Sequence, residues 1–350
     1  MKILLLLFLS VSVSYAQYNH RSIHPDLEGA ALESALVEDF KPAFVLDLRQ
    51  ARDTLYRRIH LENDSVRCVY SGLSRYLDLN ADPSEFLFQS GGNENINLEH
   101  CYPQAKGAGS GNPQADMHHL FPTRVPVNTA RANNPFREIP DNQSSSWFYR
   151  SITQSNTPSR NIDFFAESNN GGFEPREDFK GNVARAYFYF YTVYRAEADA
   201  DDPDFFDLQL STLCDWHEAD PVDSLEWIRS LRIAEYQDGK ANPFVLDCRL
   251  ARLYCGETST ACNLVDNQDL RLTNLNLQST VVAAGTHVQL DDDGLGRDLK
   301  SSFFTLDGRL VSDTIVTPSG QVEAPIQPGM YLLVVQKSSQ LLLTSKVVVY

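Results

Sequence analysis

Apolar and polar positions follow two rhythms along this chain, and the change from one to the other divides it. From Leu27 to Leu61 the apolar residues keep helical spacing, broken at Pro42 in "EDFKPAF", and the following "DSVRCVYSGLSRYLDL" has the β-branched and aromatic content of strands. A short helix is expected near "PVNTARAN", within 122–136. After the polar link "SNNGG", Phe179, Val183, Tyr187, Phe190 and Tyr194 recur at three- and four-residue steps, with Glu177 and Asp178 where a helix dipole favours acids. This predicts a strongly amphipathic helix. A second is predicted over "DPVDSLEWIRSLRIAEYQDG", with Asp220 as N-cap, Pro221 in the first helical position and a close near Gly239. Both read as packing elements, on which Arg185 and Arg229 read as exposed: solvated surface charge first, phosphate contacts second.

From about Leu277 the rhythm shortens to β-rich runs, "HVQL", "SSFFTLDGRLV", "QVEAPI", "YLLVVQ" and "LLLTSKVVVY", separated by turn residues such as Asp307-Gly308 and Pro328-Gly329. These suit a small antiparallel sandwich. At the other end, Lys2, an apolar run from Ile3 to Val13 and the small-residue end "SYA" read as a secretory signal peptide. The run is shorter than the roughly 20 apolar residues a bilayer span needs, so no stable membrane insertion is expected. The expected plan is a leader at 1–16, a large α+β domain at 17–263, a linker at 264–276 and a β-rich domain at 277–350.

At 350 residues and 42% hydrophobic, the chain is long enough for a large core and more than one domain. An exported chain allows disulfides among Cys68, Cys101, Cys214, Cys248, Cys255 and Cys262, in any of about 15 pairings. No CxxC pair marks a structural zinc site, and Cys101, although next to His100, reads as structural. The formal charge is −16, and −17 once Lys2 leaves with the leader, which taken whole argues against an anionic partner. Its distribution changes that judgement. Acid gathers in "AEADADDPD" and "DDDG", whereas 97–137 sets Glu99 and Asp116 against Lys106, Arg124, Arg131 and Arg137, a local +2.

That local segment, "INLEHCYPQAKGAGSGNPQADMHHLFPTRVPVNTARANNPF", holds His100, His118, His119 and five asparagines, with too few large apolar residues for a core element over its length. The chemistry such residues suit is metal-assisted hydrolysis. A hard divalent cation that keeps positions for water and phosphate needs one or two protein oxygens, which Glu99 and an asparagine amide would supply. A neighbouring imidazole can take a proton from the attacking water, and His100 is the obvious candidate. Consecutive strand side chains point to opposite faces, so Glu99 and His100 flank one site only at a strand end or an irregular turn. A metalloprotease would need an HExxH helix, which the sequence lacks.

The blocks "NLEHCYPQ", "DMHHLFPTRVPVNTARANNPF", "FEPREDFKGNVARAYFYF" and "WHEADPVDSLEWIRSLRIAEYQDGKANPF", in that order, together with "RDTLYRRIHLENDSVRCVYSG" upstream, resemble the bacterial endonuclease I family, secreted nucleases of the His-Me finger (ββα-metal) class. The resemblance implies an α+β fold with a ββα-metal core surrounded by helices. It also implies Glu99 and Asn128 as ligands of one Mg²⁺, His100 as general base, and hydrolysis of DNA, with RNA left open, to 5′-phosphate ends. Asp116, His118 and His119 match the motif as structural residues that orient the ligands, and Arg131, one helical turn after Asn128, is a catalytic candidate that would face phosphate. The chain departs from the family in having Leu98 before the Glu-His pair, Lys240-Ala241 before Asn-Pro-Phe, and Lys106 as the one cation in the loop after His100. The tail resembles the C-terminal sorting domain of type IX secretion. The expectation is a secreted or cell-surface endonuclease, monomeric and handled by export machinery; the alternative is a nuclease-fold protein that binds extracellular nucleic acid without cutting it.

Overall fold

The computed structural model describes residues 22–89, 92–256, 276–277, 281–291, 299–305, 310–317, 320–337 and 340–350. The expected leader, the linker before 276, Cys262 and the Asp307-Gly308 turn lie outside them. Two units are formed, Met1–Asn263 and Leu264–Tyr350.

The first unit opens with α1 (Gly29–Phe40) and α2 (Leu48–Thr54), the latter running on as a π-helical turn to Ile59. Asp47 caps α2 by accepting the Gln50 N–H, just past the break expected at Pro42. Three short antiparallel strands, β1 (Leu61–Glu62), β2 (Ser65–Arg67) and β3 (Ser74–Tyr76), form a small sheet, followed by α3 (Pro83–Gln89). Next come β4 (Ile96–His100), the short helix α4 (Gly111–Ala115), β5 (Leu120–Arg124) and α5 (Val125–Arg131). β4 and β5 pair antiparallel from Ile96–Arg124 to His100–Leu120, and α5 leaves β5 without a loop, with Pro126 where a helix needs no N–H. A four-stranded sheet follows, with β6 (Ser146–Tyr149), β7 (Ile152–Gln154), β8 (Ala166–Asn169) and β9 (Gly172–Glu174) in the order β7-β6-β8-β9.

The helices α6 (Lys180–Val193), α7 (Arg195–Asp201), α8 (Leu210–Ala219), α9 (Ser224–Ala234), α10 (Pro243–Leu246) and α11 (Arg252–Cys255) complete the unit. α6 is not the half-exposed helix its periodicity predicts: every residue of it except Asn182 is buried. The polar tips of its tyrosines find partners inside, Tyr189 on Asp116, Tyr191 on Asp199 and Tyr187 on Arg131. A tyrosine whose hydroxyl is satisfied packs like phenylalanine, so the polar side of the pattern is core as well. The same applies to Arg185, which is buried and forks onto the Glu226 carboxylate at 2.6–3.0 Å. Arg229 is likewise turned inward, donating to the Met117 and Leu120 carbonyls. Neither arginine is surface charge. α9 starts three residues later than expected, because Asp223 rather than Asp220 caps it; Asp220 ends α8 and accepts the Gly181 N–H. A disulfide, Cys214–Cys255, ties α8 to α11.

The second unit is a two-sheet β structure. β10 (Asn276–Leu277), β12 (His287–Asp291) and β15 (Gln321–Glu323) form one sheet. β11 (Val281–Val282), β13 (Leu299–Thr305), β14 (Leu310–Ile315), β16 (Gly329–Lys337) and β17 (Gln340–Val349) form the other. Val288, Leu290 and Val322 of the first pack with Phe303, Leu333, Val335, Val347 and Val349 of the second. The every-other-residue burial of Tyr331, Leu333 and Val335 is the period a one-sided strand requires.

Candidate active site

β4 presents its residues to two different environments. Ile96 and Leu98 pack in one apolar cluster, while Asn97 and Glu99 turn toward α5. Glu99 is only 2% exposed, with Oε1 lying 2.8 Å from Arg131 Nε and 3.4 Å from the Tyr70 hydroxyl. The Arg131 Nε hydrogen is not aimed at Glu99, so that contact is an ion pair by charge and proximity, not an aligned hydrogen bond. Burial pushes the Glu99 carboxyl up to about 7, against the pull of Arg131 beside it.

Asn128, one turn before Arg131 on α5, donates through Nδ2 to Asn97 Oδ1 at 2.9 Å and to the Leu98 carbonyl at 3.2 Å. Both contacts use its nitrogen, which leaves Oδ1 as the group's uncommitted oxygen. The amide is thereby anchored to the residue that precedes Glu99.

His100 is the last residue of β4, paired with Leu120 at the strand end. Its Nε2 donates to the Gln114 carbonyl at 2.9 Å, which fixes the neutral tautomer with a lone pair on Nδ1. The Gln104 side-chain amide nitrogen lies 3.2 Å from that Nδ1 and donates to it. Burial lowers the imidazole to about 4, so it is unprotonated at neutral pH.

Asp116, His118 and His119 form a buried scaffold. Asp116 accepts from Tyr189, Tyr194, Gln237 and the His118 N–H, at 2.8–3.0 Å. His118 and His119 donate from Nε2 to the Lys240 and Pro113 carbonyls, and burial holds them at about 4 and about 3. His119 packs its ring edge-on to His100, with centroids 5.7 Å apart.

The expected phosphate face of Arg131 is not where the structure puts it. Its guanidinium is fully buried, donating to the Cys101 carbonyl, the Tyr187 hydroxyl and the Ala132 carbonyl, and it lies over the Phe136 ring. Helical spacing places Asn128 and Arg131 on one face, but the longer side chain runs under β4 into the core. The local positive charge is spent in the same way: Arg124 is buried against the Asn93 and Ile152 carbonyls, and Lys106 pairs with Asp202 at 2.5 Å. Of the four cations in 97–137, Arg137 alone is exposed.

These donors suit a hard divalent cation. The Asn128 amide has only its oxygen left to offer, and among the described residues no hydrogen bond to Glu99 uses Oε2, so the pair offers one carboxylate oxygen and one amide oxygen with no sulfur. Among the described residues no group of three or more His, Cys, Asp or Glu side chains is placed to hold a metal. Two oxygens suffice for an ion that retains water.

A family model described as Endonuclease I matches residues 47–248, more than half of the sequence. The chain belongs to the endonuclease I family. It is 30% identical over 195 residues to the extracellular ribonuclease of Bacillus subtilis (strain 168), covering 52% of this chain and 58% of that protein. It is 32% identical over 161 residues to the extracellular ribonuclease of Bacillus amyloliquefaciens, covering 43% and 50%. The chain thus spans about half the length of these relatives. Among solved structures, that of the Lin-41 filamin domain aligns with 23% of this chain and 94% of its own at 17% identity, with a TM-score of 0.18, and carries no argument.

The endonuclease I match contains all of these site candidates. Sequence reasoning did not single out Tyr70, Asn97, Gln104 or Gln114, and read Tyr187 only as a packing residue; these are the partners that hold Glu99, Asn128, His100 and Arg131. Tyr70, Asn97, Gln104 and Tyr187 lie within the blocks that carry the resemblance but have no residue type that marks them as site partners, and Gln114 acts through its backbone, where side-chain identity gives no signal.

Proposed function

We propose that this endonuclease I family member is an exported, Mg²⁺-dependent nuclease that cuts nucleic acid without sequence preference. The observation that carries the reading is the antiparallel pair ending on Glu99 and His100, whose outgoing strand leads directly into the helix bearing Asn128. This is the order expected of a ββα-metal core. Glu99 and Asn128 would hold the cation, which when bound neutralises charge on the scissile phosphate and the leaving oxygen. With the attacking water in place of the Gln104 amide, His100 Nδ1 takes a proton from the water whose oxygen attacks phosphorus, and Gln114 keeps the ring in the tautomer that can accept it. The bond from phosphorus to the 3′ oxygen breaks, that oxygen takes a proton from solvent, and the product carries a 5′-phosphate. Arg131 positions Glu99 from beneath, and Asp116, His118 and His119 hold the segment that supports both.

The names of the two ribonuclease relatives extend the proposed substrates from DNA to RNA. The test is incubation of plasmid DNA and of RNA with Mg²⁺, with and without EDTA, followed by ligation of the DNA products without kinase treatment. Cutting that EDTA abolishes, with ligatable ends, supports the reading. Retention of nucleic acid with no cutting supports the binding-protein alternative instead.

For the second unit we propose an export and sorting role, supported by its two-sheet β architecture and the sequence likeness. Deleting residues from Leu277 onward should leave the nuclease activity of purified protein intact and block export in a host with that pathway. A folded truncation that has lost activity would refute it.

A further inference from the structure

The cations of the Glu-His segment are largely consumed internally, yet the first unit has a second polar cleft of about 570 Å³ with unconsumed ones. Its lining includes Arg67 on β2, Arg150 after β6, Arg176, the rings of Tyr149 and Phe164, and one carboxylate, Glu62. Arg67 and Arg150 are exposed, and no ion pair among the described residues uses either. In a chain of net charge −16, two unneutralised guanidinium groups on one cleft mark a site for an anion.

Arg176 forks onto Asp178 through Nε and Nη2, and its Nη1 lies over Gly72. Gly72 has φ +70°, and a Cβ there would stand 2.5 Å from that Nη1, so the glycine keeps the guanidinium seated in the cleft. Phe164 is 46% exposed, unusual for so apolar a ring, and Arg176 lies 5.6 Å from its centroid; Arg150 lies 5.2 Å from that of Tyr149.

We infer that this cleft is a subsite for a single-stranded part of the substrate, holding backbone phosphate between Arg67 and Arg150 and an unpaired base against Phe164. Guanidinium groups beside exposed aromatic rings hold single strands by phosphate contact and stacking, whereas a duplex keeps its base faces inside its own stack. The lining of the cleft adjoins, along the chain, a residue that touches the candidate active site. Tyr70, whose hydroxyl reaches Glu99, is two residues from Gly72, and Arg150 N–H donates to the Ser71 carbonyl between them. The inference rests on the proposed nuclease function and names the form of substrate it prefers.

The test measures the full, disulfide-bonded chain with labelled oligonucleotides of about 12 nucleotides, single-stranded or duplex, by fluorescence anisotropy in EDTA across a salt series. KM and kcat are measured separately in Mg²⁺. R67Q/R150Q should flatten the single-strand salt slope by about 1.4, at roughly 0.7 for each lost phosphate contact, and should raise KM with kcat unchanged. F164A should weaken single-strand binding roughly 5- to 150-fold with the slope intact and little change on duplex. Slopes and KM equal to wild type in the double variant would overturn the subsite, as would equal losses on duplex and single strand for F164A. A wild-type chain that cuts neither DNA nor RNA sinks the nuclease reading alone, because the anisotropy still decides the subsite.

Discussion

Replacing Arg131 with methionine separates a core role from a phosphate-binding one. Methionine keeps most of the apolar stem over Phe136 and removes the guanidinium, leaving Glu99 buried without its counter-charge and the Cys101 carbonyl without its donor at 2.6 Å. Removing one partner of a buried pair costs about 3–5 kcal/mol. The orphaned carbonyl falls within that range, since Glu99 limits its own cost by protonating. At about 2–4 °C per kcal/mol for a domain of this size, the melting temperature should fall by roughly 6–20 °C. All three tryptophans, Trp147, Trp216 and Trp227, lie in the first unit, so denaturant unfolding followed by tryptophan fluorescence reports that unit within the full chain. Glu99 sits at about 7 with Arg131 present and rises further without it, so the loss should be larger at pH 9 than at pH 6. E99Q/R131M should be less destabilised than the two single variants summed. If R131M melts within about 1 kcal/mol of wild type and instead raises KM, Arg131 faces the substrate and the inward placement is wrong.

His100→Ala should still bind Mg²⁺ and nucleic acid and lose roughly 10²- to 10⁴-fold in rate. Asn128→Ala should weaken Mg²⁺ binding and be partly rescued by excess Mg²⁺, which should do nothing for His100→Ala; the reverse pattern would exchange their roles. Burial, reinforced by Glu174 and Asp141, pushes Glu167 from 4.5 up to about 8. A carboxyl raised on folding contributes stability that is full below about 4.5 and lost as pH climbs through about 8, so Glu167→Gln should hold its melting temperature between pH 7 and 9 better than wild type. Removing the Cys214–Cys255 bridge as the double serine variant should cost about 4 kcal/mol for its 41-residue separation, read as a lower denaturation midpoint.

Much of this protein was legible from sequence because its information is local. Pro42 breaks a helix wherever it stands, the strand runs from Leu277 onward carry their own period, and α5 starts beside its proline. Glu99, His100 and Asn128 could be put forward because resemblance preserves residue types at fixed places in ordered blocks, and the family match spans their positions. What only the tertiary structure decided was which way the long polar side chains turn. Arg131, Arg185 and Arg229 have the composition of surface residues and are held inward, each by acceptors more than a dozen positions away in sequence. The tyrosines of α6 satisfy their hydroxyls on Asp116, Asp199 and Arg131, so a pattern that looks half-polar belongs to a helix buried all round. Periodicity reports which faces are apolar, but a buried polar group is stabilised by a partner that the chain brings to it only on folding. That is why the local positive charge of 97–137 was visible in the sequence, and why its consumption inside the fold was not.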